Sequence, residues 1–199
     1  MTRLLICGFG PFPGAPDNPS ALAVERLRRD GWRMAGADVG YAVLPTVWSE
    51  AAETALAARE AAGADAVLLV GVASSALAFR VETIARNRAS QAHADAAGRC
   101  WSGPLIDPDG PAERGVTAPV DAMARAIQDL GLAADVSQDA GDYLCNFTLY
   151  RLLAQVPMTA FLHVPPVSEA AALDDIVKAV QAAASALAKS LPSNRHRPA

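Results

Sequence analysis

Cys145 stands at a change of local character in the sequence. Before it lie the turn formers Asp139, Gly141 and Asp142; after it, Phe147, Leu149, Tyr150, Leu152 and Leu153 recur at helical spacing. The pattern predicts that Cys145 sits in the first turn of a helix. There, unpaired N–H groups and the positive end of the helix dipole favour an anion, and so the thiolate over the thiol. An imidazole is predicted in a comparable place. His163 closes the apolar run Met158-Thr159-Ala160-Phe161-Leu162 and precedes Val164-Pro165-Pro166, which reads as a short buried strand stopped by proline. Ligand sites in open α/β sheets collect at strand ends, so the two side chains form a candidate nucleophile and base pair. Spacing alone does not decide it, because a lone cysteine in an Ala-rich chain is more often a small buried hydrophobe.

Four segments sharpen the reading. The first is Ser137, Ala140, Gly141, Cys145, Asn146 and Tyr150 at their observed spacing. The others are Val81-Glu82-Thr83-Ile84-Ala85-Arg86-Asn87, Phe161-Leu162-His163-Val164-Pro165, and Gly8-Phe9-Gly10-Pro11-Phe12 with Asn18-Pro19. In order and spacing they resemble pyroglutamyl peptidase I, the C15 family of cysteine peptidases, over most of the chain. The resemblance implies a Cys-His-Glu triad of Cys145, His163 and Glu82, in which the carboxylate fixes the imidazole's tautomer and stabilises its cationic form. It implies removal of an N-terminal pyroglutamyl residue from a blocked peptide, with neither metal nor organic cofactor. It also implies that Phe9, Phe12, Asn18, Val72 and Tyr143 surround the substrate, the two phenylalanines flanking an apolar slot for the lactam ring, and that the protein is a homo-oligomer, dimer or tetramer.

The chain departs from the family where the family has Gly-Gln-Ala-Gly-Gly-Arg: here stand Gly71-Val72-Ala73-Ser74-Ser75-Ala76. Ala92 occupies the position of a loop arginine. A pocket built to hydrogen-bond a lactam loses selectivity when such a partner is missing. Two alternatives follow: a cysteine amidohydrolase of the same fold acting on another small N-acyl or lactam group, and a catalytically idle binding homologue. The reactivity of Cys145 separates them.

The elements that must position these groups read as α/β. Leu4–Phe9, Val39–Leu44 and the continuous apolar run Ala66–Gly71 are predicted strands, the last covered on both faces. Asn18 caps a helix that begins at Pro19, and a second helix is expected from Trp48 to Ala62. From Ala78 an alternating strand puts Glu82 opposite its hydrophobic face, where a glutamate is usually solvated. Residues 89–111, rich in Gly and Pro, form a long loop, taken as a lid or subunit contact, in which His93 reads as a surface histidine without a role. Helices from Pro119 to Leu130 and from Ser168 to Leu191 and a short strand at Ala133–Val136 complete one three-layer α/β/α sandwich around a mostly parallel twisted sheet, phosphorylase- or hydrolase-like. Residues 1–191 are expected to form that domain, and 192–199 a flexible tail.

Composition narrows the function classes. The chain has 199 residues, 52% of them hydrophobic, and a formal charge of -4 without a basic cluster; nucleic acid and anionic membranes are not expected partners. Neither GxGxxG nor GxxxxGK[ST] is completed after the first strand, so a nucleotide site is not expected. The three cysteines lack CxxC spacing, which points to a reducing compartment. The N-terminal apolar run is too short for a signal peptide, and a cytoplasmic protein is expected.

Overall fold

The computed structural model describes residues 2–168 and 171–191. Its first half is built as the sequence suggests. β1 (Thr2–Phe9) pairs in parallel with β2 (Ala37–Leu44) on one side and β3 (Ala66–Val72) on the other. Helix α1 (Pro19–Arg29) is capped by Asn18, whose side chain accepts the Ser20 N–H at 3.1 Å. Helix α2 (Ala51–Ala62) starts three residues later than expected. Trp48 is the reason: its backbone N–H donates to Asp95 Oδ2 at 3.1 Å and its indole N–H to the Arg99 carbonyl at 3.0 Å, which holds 48–50 as a turn.

The second half brings the corrections. The single strand expected from Ala78 is divided into β4 (Phe79–Glu82) and β5 (Ile84–Arg86). At the break, the Thr83 N–H and hydroxyl both donate to the Ser137 carbonyl, at 2.8 and 2.9 Å. There follow β6 (Glu113–Gly115), α3 (Val120–Gln128), β7 (Ala134–Ser137), α4 (Leu144–Leu153), β8 (Thr159–Val164) and α5 (Leu173–Lys189). The closing helix begins at Leu173 instead of Ser168, because Ser168 and Ala171 exchange backbone hydrogen bonds in an isolated bridge. The tail predicted at 192–199 lies outside the described residues.

The main sheet has six strands in the order β2-β1-β3-β8-β4-β7. All neighbours are parallel except β4 and β8, so β4 and β7 run against the other four strands. One face packs Leu4, Ile6, Leu68 and Leu162 against α1, α3 and α5. The other packs Leu5, Leu69 and Phe161 against α2 and α4. This is the expected α/β/α sandwich around a mostly parallel sheet. Among the described residues no helix is long and apolar enough to cross a membrane.

The 89–111 region is free of helix and strand but closely tied down. Asn87 Oδ1 accepts the N–H groups of Ile106 and Asp107 at 2.9 Å each, while its amide donates to the carbonyls of Asp107 and Gly110. Asp95 is fully buried and accepts from Trp48, Ala97 and Arg99. Burial works against its charge, but the three N–H groups outweigh burial and hold the carboxyl below its ordinary value.

Candidate active site

Gly141, at φ +81°, turns the chain ahead of α4, and Tyr143 holds the N-cap position in extended conformation. Cys145 is therefore the second residue of the helix. No side chain caps this end and no acidic residue occupies its first turn. The N–H groups of Leu144, Cys145 and Asn146 precede the first intrahelical bond, from Phe147 N–H to the Tyr143 carbonyl at 3.0 Å, and so remain open to an anion. Asn146 docks this helix end onto β5: its amide donates to the carbonyls of Arg86 and Arg88 at 2.8 and 2.9 Å, and its Oδ1 accepts the Arg86 N–H at 2.8 Å.

The thiol lies over β3. A Cβ added to Gly71 would fall 2.8 Å from Cys145 Sγ and 2.8 Å from Phe161 Cζ, so only a glycine leaves room for the sulfur there. Gly71 is paired in register with His163 on the adjacent β8. On the far side of β8, Glu82 approaches from β4, and the His163 Nδ1–H donates to Glu82 Oε1 at 2.8 Å. Glu82 is completely buried, unlike the usual solvated glutamate of a strand. Alternation along β4 holds, with Phe79 and Val81 in the core on one face and Glu82 on the other beside His163, but this strand lies inside a sheet covered on both faces. Glu82 Oε2 has no hydrogen-bond partner among the described residues.

His163 is buried, at 6% exposure. Burial opposes the imidazolium, but the negative charges at Cys145 and then Glu82, with the hydrogen bonds they offer, outweigh it and raise the imidazole to about 9. The other two thiols are placed differently: burial pushes the Cys7 thiol up, and Cys100 is exposed.

Cys145 and His163 open into a cavity of about 730 Å³, whose walls include Phe12, Val72 and Tyr143 as well as Ser74, Ser75 and Ala92. The Phe12 and Tyr143 rings lie 5.9 Å apart, and Trp48 meets Tyr143 edge-on at 5.1 Å. The Tyr143 hydroxyl donates to the Ala94 carbonyl at 2.9 Å and is pushed up to about 12, chiefly by burial. Two residues implied by the resemblance stand behind the wall. Phe9 is buried in the core against Phe161, and Asn18 is spent on capping α1 and holding the Gly10 carbonyl at 3.0 Å. They shape the loop that presents Phe12.

His93 is exposed, as expected of a surface histidine, and it also lines the cavity. Its ring meets Tyr143 edge-on at 6.2 Å and its Nδ1 lies 3.1 Å from Ser90 Oγ. Arg80 lines it too. The signal for both was absent from local periodicity, because loop closure and strand register bring them in. Among the described residues no group of three or more His, Cys, Asp or Glu side chains could hold a metal ion.

A helix-start thiol, an imidazole and a buried carboxylate at the strand ends of an α/β sandwich are the equipment of a cysteine-type hydrolase. Residues 2–190 match the family model described as pyroglutamyl peptidase, and the chain belongs to that family. Its curated relatives include the pyrrolidone-carboxylate peptidase of Mycobacterium marinum, 34% identical with 87% of this chain and 82% of the relative covered. The pyrrolidone-carboxylate peptidase of Lactobacillus johnsonii is also 34% identical, over 93% and 92%. Among solved structures, Bacillus amyloliquefaciens pyroglutamyl peptidase I superposes with a TM-score of 0.87 at 27% identity, covering 95% of this chain and 98% of that one. A mutant pyrrolidone carboxyl peptidase of Pyrococcus furiosus gives 0.87 at 27%, over 96% and 100%.

Proposed function

We propose that this chain is a cysteine peptidase that releases an N-terminal pyroglutamyl residue from peptides, with Cys145 as nucleophile, His163 as base and acid, and Glu82 as the group that orients His163. The observation that carries it is the 2.8 Å bond from His163 Nδ1 to Glu82, which leaves Nε2 for the thiol seated over the neighbouring Gly71. His163 takes the Cys145 proton, and the sulfur attacks the carbonyl that joins pyroglutamate to the next residue. The oxyanion is received by the open N–H groups at the start of α4, that of Cys145 among them. His163 then gives its proton to the departing amine. Water, deprotonated by the same imidazole, hydrolyses the thioester and frees Cys145.

The apolar wall formed by the Phe12 and Tyr143 rings suits one face of the flat, uncharged lactam ring, and Val72 lines the same cavity. The reaction draws on no metal or cofactor. We read residues 1–191 as one catalytic unit and the protein as a cytoplasmic homo-oligomer, dimer or tetramer; light scattering on the purified chain measures the oligomer directly. The test of the activity is release of the fluorophore from a pyroglutamyl aminomethylcoumarin amide. Wild type turns it over and Cys145→Ala does not; a wild type inert across pH 6–9 would overturn the assignment. Iodoacetamide labels Cys145 ahead of Cys100 in the same preparation, despite the greater exposure of Cys100.

A further inference from the structure

Arg80 on β4 stands directly opposite His163 on β8 in their antiparallel register, so both side chains leave the sheet on the same face. It is partly buried and lines the cavity that holds Cys145 and His163. Among the described residues its guanidinium has neither a hydrogen-bond nor an ion-pair partner. The cavity's own carboxylates are placed elsewhere. Asp139 is engaged by Arg86 and Arg88, at 3.3 and 2.8 Å. Asp142, next to Tyr143 in the chain, forms no ion pair with Arg80 among the described residues.

The order of strands gives the cavity a direction. The loop after β1 carries Phe12, the next strand, β3, lies under the thiol, β8 carries His163, and β4 carries Arg80. Adjacent strands are about 4.8 Å apart. With the lactam ring at Phe12 and Tyr143 and its carbonyl over Cys145, the leaving nitrogen falls at His163. The atoms beyond that nitrogen then extend over β4. A carboxylate on the next residue, only two or three bonds further on, arrives within reach of the Arg80 guanidinium.

From this we infer that Arg80 forms a carboxylate subsite for the residue that follows the scissile bond, so that the enzyme favours pyroglutamyl substrates carrying an anion there. Pyroglutamyl dipeptides with a free C-terminus are the simplest members of this class; an acidic side chain on the second residue supplies the same group. The planar guanidinium takes a carboxylate in two parallel hydrogen bonds, and the substrate gives this partly buried cation the partner that the protein withholds. The inference rests on the pyroglutamyl reading above.

The experiment compares kcat/KM for pyroglutamyl-alanine, pyroglutamyl-alanine amide and pyroglutamyl-glutamic acid α-amide, whose only carboxylate is on the side chain, by mass spectrometry, in wild type, Arg80→Lys and Arg80→Gln. Wild type prefers the free acid over the neutral amide by roughly 10- to 100-fold, the worth of a charge-assisted hydrogen-bonded pair. In Arg80→Gln that ratio collapses towards one, and Arg80→Lys keeps part of it. The glutamic acid α-amide turned over as well as the free acid assigns the site to side-chain carboxylates; turned over like the neutral amide, it assigns the site to the terminal carboxylate. Equal turnover of all three by wild type overturns the inference while leaving the pyroglutamyl reading intact. Turnover of none of them, nor of the coumarin amide, overturns that reading instead. The wild-type comparison and its weakening by salt stand even if Arg80→Gln fails to fold.

Discussion

Gly71→Ala is the sharpest probe of the site, because its consequence is set by two distances. The added methyl would lie 2.8 Å from Cys145 Sγ and 2.8 Å from Phe161 Cζ, so its neighbours must withdraw by roughly 0.7–1.2 Å to reach comfortable contact. Phe161 cannot yield: it is fully buried between the Phe9 ring at 6.2 Å and the His163 ring at 4.6 Å. The sulfur faces the cavity and is the atom that moves. A nucleophile displaced by about 1 Å from its base loses roughly 100-fold in rate. Overpacking costs about 1–3 kcal/mol, offset in part by about 0.4–1 kcal/mol from replacing a glycine. A chain of this length loses roughly 2–4 °C in Tm per kcal/mol. The assay is kcat/KM on the coumarin amide together with thermal unfolding, in wild-type and Cys145→Ala backgrounds. If the sulfur is the obstacle, Gly71→Ala destabilises the alanine background less, since the clash has lost one of its two partners. Wild-type activity and Tm in Gly71→Ala, or an equal loss in both backgrounds, would refute the packing argument.

Two further outcomes are expected. Glu82→Gln keeps the shape but removes the charge beside Nδ1, and kcat falls roughly 10²- to 10⁴-fold with KM little changed; steady-state kinetics with retained circular dichroism checks it, and near-wild-type kcat would deny Glu82 its orienting role. The pH dependence of stability carries its own sign. An imidazole raised from 6.5 to about 9 contributes stability that is complete below pH 6.5 and is lost as pH rises through 9. Urea unfolding from pH 6 to 10 should therefore show a decline in wild type that is shallower in Cys145→Ala, which lacks the largest of the upward influences on His163.

What the sequence disclosed depended on the range of the signal. Helical spacing from Phe147 and the turn before it located Cys145 at the start of α4, and Pro165-Pro166 marked the end of β8 just after His163, because both depend on neighbours in the chain. The burial of Glu82 was illegible: it follows from β4 lying between β8 and β7, a pairing over some 80 residues. The late start of α2 has a similar cause, since Asp95, far along the chain, takes the Trp48 N–H. Phe9 looked like Phe12 in sequence, yet one ring entered the core and the other the cavity, a division made by the fold of the loop between β1 and α1.

The reversal of β4 has a bearing on how such an enzyme changes over generations. Residues 73–78 leave β3, pass the end of β8 and enter β4 from the rim, and Ser74 and Ser75 on that span border the cavity. A one-residue slip within β4 would turn Glu82 to the opposite face and part it from His163, whereas exchanges on the span alter only the mouth. Novelty in what is admitted can therefore accumulate on this short crossing, while the pairing beneath it stays under strict constraint.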